Sequence, residues 1–156
     1  MKKFVWDSSA IVNIQEPNGQ RYSPGYSLYK DLSDGLIPGP YQNIFPAIGV
    51  FEVNATVSRK HREGENILRE FYILDENSIV YDINQEFIKR SYSLFTMEGF
   101  NKLYGADLIF ACIAFLEKAY LVTLDNKLAK NVSDYSSVIN LNDSRESAIY
   151  LRLFDL

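Results

Sequence analysis

The sequence predicts an α/β fold: a three-layer α/β/α sandwich in which helices cover both faces of a central parallel sheet of about five strands, built as one domain from residues 1–156. Three observations predict it. Short apolar runs of strand length alternate with longer segments of helical period, and strands separated by helices pair in parallel through right-handed crossovers. A chain of 156 residues, 47% of them hydrophobic, buries about two-thirds of its unfolded surface in a single core. Two of the apolar runs, moreover, stop at an aspartate, and the carboxyl ends of parallel strands are where such sheets hold ligands.

Residues 3–7 form the first strand, ending at Asp7. EPNGQRYSPG, residues 16–25, is rich in turn formers and reads as a loop; YSLYKDLSDG follows as a short amphipathic helix that stops at Gly35. The prolines of LIPGPYQNIFP forbid a long helix and leave a second short strand at Asn43 to Phe45. From Ala47 to about Arg62 the period is helical, with Val50, Val53 and Val57 on one face and Glu52, Thr56 and Arg59 on another stripe. Residues 63–74 continue as a helix with Ile67, Leu68, Phe71 and Leu74 as its apolar face, and SIVYDI, residues 78–83, is the third strand. A helical segment from Gln85 to about Asn101 carries Phe87, Ile88, Tyr92 and Phe95, with Gly99 and Gly105 bracketing its exit. A helix over Ala106–Lys118, a fourth strand at 120–125, a fifth at 136–141 and a last helix over Arg145–Phe154 complete the chain. No internal repeat or low-complexity tract interrupts it, and all five prolines lie in the first third, so no interdomain linker is expected.

Composition narrows the function. With 16 basic against 20 acidic side chains the net charge is -4, so no global positive field draws the protein to nucleic acid or anionic membrane, and an anionic ligand needs a local attractor. Cys112, the single cysteine, lies inside LIFACIAFL and is expected to be a buried, inert thiol. The apolar run of MKKFVWD is too short for the core of a secretory signal, and Leu108 to Leu116 cannot span a hydrocarbon layer that needs about 20 residues; a soluble, cytoplasmic protein is expected.

Four acids stand out of place. Asp7 ends a strand; in ADLIFACIAFLEKA, Asp107 is the only polar side chain besides the thiol between Ala106 and Leu116; Asp125 ends YLVTLD; and Glu52 faces away from the valines of its helix. A helix apolar all round is buried, and a first-turn carboxylate gains only about 0.3–1 kcal/mol from the helix dipole, which does not offset burial. Ala111 and Ala114 share the stripe of Asp107 and let that face approach the sheet. Each acid also has an ordinary reading: a helix N-terminal residue, two turn formers and a solvated helix residue. Converging carboxylates repel, and one takes up a proton unless a cation compensates. Oxygen ligands with no His or Cys beside them select Mg²⁺ or Mn²⁺ over zinc.

Asp7-Ser8-Ser9 after the first strand, Glu52 in GVFEVNATV, Asp107 in GADLIFACIA and Thr123-Leu124-Asp125 in LVTLDNKL together resemble the PIN-domain nucleases, and in particular the VapC-type toxins of toxin-antitoxin pairs, over nearly the whole chain. The resemblance implies a metal-dependent endoribonuclease. In that reading Asp7, Asp107 and Asp125 would hold Mg²⁺ or Mn²⁺, Glu52 would complete the site or orient the attacking water, and Ser8 and Thr123 would support the carboxylates or phosphate oxygens, unless they serve only as local caps. Relatives often carry a further acid where this chain has Lys127, so a second metal would be weak or absent.

The resemblance further implies an RNA substrate, an antitoxin partner and a homodimer; the residues themselves do not separate RNA from single-stranded DNA. Arg59, Lys60 and Arg62, one to three helical turns beyond Glu52, are candidates to neutralise phosphates, or else form a solvated helix end. His61 is the only histidine, which excludes a mechanism built on paired histidines. The alternative reading is a non-catalytic PIN-like RNA-binding or scaffold subunit, to which Lys127 lends support. Doubly wound phosphatases and receivers fit less well, because Asp7-Ser8-Ser9 is not Asp-x-Asp and no paired acids precede a separate phospho-acceptor.

Overall fold

The computed structural model describes residues 1–15, 23–62, 75–143 and 145–155, and all of their side chains except those of residues 60–62. The chain runs β1 (Lys2–Trp6), α1 (Ser8–Ile14), α2 (Pro24–Ser33), β2 (Tyr41–Pro46), α3 (Ala47–Arg62), β3 (Ser78–Tyr81), α4 (Gln85–Ser91), α5 (Gly105–Glu117), β4 (Tyr120–Thr123), α6 (Asn126–Val132), β5 (Val138–Asn140) and α7 (Ala148–Leu151). The five strands form one sheet in the order β3-β2-β1-β4-β5, every pair parallel.

Strand alternation divides the core in two. Phe4, Trp6, Phe45 and Val122 point to the layer made by α1, α2, α3 and α7, whereas Val5, Ile44 and Leu121 point to the layer of α4, α5 and α6. Central parallel strands are buried on both faces, which is why FVW and LV read as unbroken apolar runs. This is the expected three-layer sandwich, and it buries Cys112, whose thiol burial pushes up to about 11.

Polar side chains pin the layers where the backbone leaves groups to satisfy. Trp6 Nε1 donates to Asn43 Oδ1 at 2.9 Å between adjacent strands. Asp31 on α2, nearly buried, accepts from Tyr150 Oη at 2.7 Å and from Arg145, tying the end of the chain to α2. Lys2 Nζ donates to the carbonyls of Pro38 and Leu153, closing the other end of the sheet.

Three elements differ from expectation. Ser8–Ile14 is a helix, started by Asp7 as its cap, where no helix was expected. The helix from Gln85 stops at Ser91, whose hydroxyl donates back to the Phe87 carbonyl at 2.8 Å; two 3₁₀ turns at Tyr92–Leu94 and Phe100–Lys102 follow. Gly99 lies between them at φ 88, where a Cβ would sit 2.2 Å from the Asn131 carbonyl oxygen, so this turn requires glycine. The last helix is only α7 plus a 3₁₀ turn at Arg152–Phe154. The helix expected over 63–74, and most of the loop expected over 16–25, lie outside the described residues.

Candidate active site

Parallel topology decides where the four acids stand. α1, α3 and α6 each follow a strand directly, so they begin at the carboxyl edge of the sheet; α5 runs back into β4, so its first turn returns to that edge. Asp7 caps α1 and Asp125 caps α6, Glu52 lies in the second turn of α3, and Asp107 lies in the first turn of α5. The strands that feed them, β2, β1 and β4, are the three neighbours at the centre of the sheet.

Asp7 is held most firmly, with only 3% of its surface exposed. Its Oδ1 accepts from the backbone N–H of Ala10 at 2.8 Å and from Ser9 Oγ at 2.7 Å, while Oδ2 accepts from Thr123 Oγ1. The Thr123 hydroxyl in turn accepts from the Asp125 N–H at 2.9 Å, and Ser9 Oγ accepts from the Leu124 N–H at 3.1 Å. Two hydroxyls thus stitch the end of β1 to the end of β4. Asp125 Oδ1 accepts from the N–H groups of Lys127 and Leu128 at 2.9 and 3.1 Å.

The carboxylates feel one another. Burial is the main cause holding Asp7 above the usual carboxylate range, against the pull of Thr123, Ser9 and Ala10, and the charge of Asp107 adds to it. Glu52 is raised by burial, then by the charges of Asp107 and Asp7. Asp107 is raised by burial and by Asp125, and is partly relieved by Lys127. These couplings run 7–107, 52–107, 52–7 and 107–125, so Asp107, with three of the four, is their hub.

The donor chemistry fits a hard divalent ion: all four groups offer carboxylate oxygens, and Ser8 Oγ beside them is buried with no hydrogen-bond partner. Among the described residues, however, no three His, Cys, Asp or Glu side chains stand at the spacing of a ready coordination shell. Ser8 therefore makes no bond to a carboxylate; Ser9 and Thr123 do. The doubled serine after Asp7 carried that signal, but only the turn into α1 decides which hydroxyl faces back to the acid. A second feature absent from the sequence reading is an amide shelf beside Asp125, where Asn142 Nδ2 donates to the Leu124 carbonyl at 2.7 Å and Asn140 Nδ2 donates to Asn126 Oδ1 at 2.8 Å. Arg59 is exposed, and its Nε donates to the carbonyl of Ala55 at 3.2 Å on its own helix. The side chains of Lys60 and Arg62 lie outside the described residues.

A parallel β3-β2-β1-β4-β5 sheet, sandwiched by helices and carrying acids at its carboxyl edge, is the PIN-domain fold in its VapC-like form. Solved structures similar to this chain include VapBC2 from Rickettsia felis bound to a DNA fragment from their promoter, 18% identical over 88% of this chain and 98% of that one with a TM-score of 0.62. FitAB bound to the IR36 DNA fragment is 17% identical over 90% of this chain and 96% of that one, with a TM-score of 0.56. No protein-family model and no curated protein matches the sequence.

Proposed function

We propose that the chain is a Mg²⁺- or Mn²⁺-dependent endoribonuclease, acting in the cytoplasm as the toxin of a toxin-antitoxin pair. The observation that carries this reading is the gathering of four carboxylates at the carboxyl edge of the three central strands, three of them pushed up by burial and each of those three also by the charge of another. Asp7, Asp107 and Asp125 would hold the ion, which supplies a water activated for attack and offsets charge building on the phosphate. Glu52 is half-buried and held above the usual carboxylate range by burial and by the charges of Asp107 and Asp7, so its carboxylate is the stronger base and can orient the attacking water or take a proton from it. Ser9 and Thr123 fix Asp7 in one rotamer.

The likeness to VapBC2 and FitAB supports an antitoxin partner, and the exposed apolar patch of Phe51 on α3 and Val80 on the edge strand β3 supports a protein-covered surface, in a homodimer or against that partner. The wider spacing of the acids favours a second reading, a non-catalytic RNA-binding or scaffold subunit.

One experiment separates the two. Labelled single-stranded RNA is incubated with the protein in Mg²⁺, in Mn²⁺ and in EDTA, beside Asp107→Asn and Glu52→Gln. Cleavage that needs the dication and falls at least about 100-fold in both variants is expected, a loss of about 2.7 kcal/mol in transition-state stabilisation. Binding without cleavage in every metal establishes the scaffold instead, and cleavage unchanged in both variants removes the acids from the mechanism.

A further inference from the structure

Beside Asp107 stands the most exposed large aromatic side chain of the described residues. Tyr104, 80% exposed, is the cap residue of α5 and makes no capping bond through its side chain. Its position follows from the backbone. Leu103 and Tyr104 are both extended, so their side chains take opposite directions, and Leu103 is buried in the core. Tyr104 is thereby turned to solvent at the carboxyl edge of the sheet, and the cap and third positions of a helix are neighbours across its first turn, which sets the phenol next to Asp107. Gly105, at φ 54, permits the sharp entry into the helix.

Two exposed cations stand on the elements packed around this entry to α5. Lys102 is exposed in the preceding 3₁₀ turn, and Lys127 is exposed in the first turn of α6, where its backbone N–H is bound by Asp125. The Lys127 charge is felt at Asp107 across the mouth of the site. In a chain of net charge -4, cations at the rim of an acid pocket supply the local attractor that a polyanion needs.

We propose that this rim on α5 and α6 grips single-stranded nucleic acid, the Tyr104 ring stacking on an unpaired base and the Lys127 ammonium contacting the adjacent phosphate. Only an unstacked base presents a free face to a side chain, so the rim selects single strands over duplex. The inference rests on the nuclease reading for its location but not for its test.

The test is fluorescence anisotropy of a labelled twelve-nucleotide oligouridylate in Ca²⁺, its integrity checked on a gel, against wild type, Tyr104→Ala, Tyr104→Trp and Lys127→Met. Both side chains are exposed, so the melting temperature serves as the control for folding. Tyr104→Ala should weaken binding about tenfold while Tyr104→Trp retains it, and Lys127→Met should weaken it and flatten its salt dependence by about one phosphate contact. A duplex probe should be indifferent to Tyr104. Affinity unchanged in Tyr104→Ala, equal loss in Tyr104→Trp, or no binding by wild type overturns the proposal. Binding that depends on Tyr104 without metal-dependent cleavage rejects the nuclease and leaves the rim standing; cleavage with binding blind to Tyr104 rejects the rim alone.

Discussion

Asp107 is a carboxylate placed where every neighbouring acid makes its charge costlier, so its removal should help the fold even as it harms the function. Asp7, Glu52 and Asp107 all have raised values in the folded protein, each led by burial. The folded state therefore binds more protons than the unfolded chain between the ordinary carboxylate value and the raised one, and stability falls as pH rises through that window. Asp107→Asn in EDTA at pH 7 should raise the melting temperature by about 2 °C, a few tenths of a kcal/mol to about 1 after screening and the lost helix-dipole interaction. As pH falls below the ordinary carboxylate value, where Asp107 takes up a proton in both the folded and the unfolded chain, the two proteins should converge. A scanning fluorimetry profile in which Asp107→Asn is less stable by the same margin at pH 7 and in acid would remove repulsion as the cause. Asp7→Asn should gain less, because an amide in place of Oδ2 cannot accept the Thr123 proton.

At the scale of elements, Asp125 has one job that the structure shows and one that we propose, and one pair of substitutions separates them. As the cap of α6 its Oδ1 accepts two backbone N–H groups, which an asparagine can also do. Asp125→Ala should lower stability by about 1 kcal/mol, roughly 2–4 °C by calorimetry, whereas Asp125→Asn should melt within about a degree of wild type in EDTA yet lose metal-dependent cleavage. Equal destabilisation by both would mean that the charge, not the cap, supports α6. The same double use explains what could be read in advance. α5 was legible because between Ala106 and Leu116 a single acid interrupts an otherwise apolar helix, and the central strands were legible because burial on both faces leaves no alternation to misread. α1 was hidden because seven residues give too few turns for a period, and its start signal, Asp7, also reads as a strand end. The segment after Gln85 misleads for another reason: Ile88, Tyr92 and Phe95 keep helical spacing but are exposed, so the period there reports surface aromatics rather than a core face. Which serine supports Asp7, and the exposed setting of Tyr104, depend on single backbone turns that no period encodes.

For the whole molecule, the sheet acts as a charge concentrator. The helices α1, α3, α5 and α6 begin at its carboxyl edge, each contributing up to about half a positive charge from its N-terminal N–H groups, and four carboxylates are set against them there. If the edge holds a dication as we propose, the ion offsets the repulsion among these carboxylates in a way that a monovalent salt does not. Mn²⁺ should therefore raise the melting temperature of wild type with the logarithm of its concentration, by about 2.7 kcal/mol at a hundredfold excess over the dissociation constant, or roughly 5–10 °C. NaCl at matched ionic strength should give no such rise. The gain should shrink in Asp107→Asn, the hub of the couplings, and fade as pH falls through the raised carboxylate values, because protons and metal compete for the same oxygens. If NaCl stabilises as well as Mn²⁺, or Asp107→Asn responds to Mn²⁺ as wild type does, the acids share a surface field but no site, and the edge of the sheet is a scaffold for binding rather than for hydrolysis.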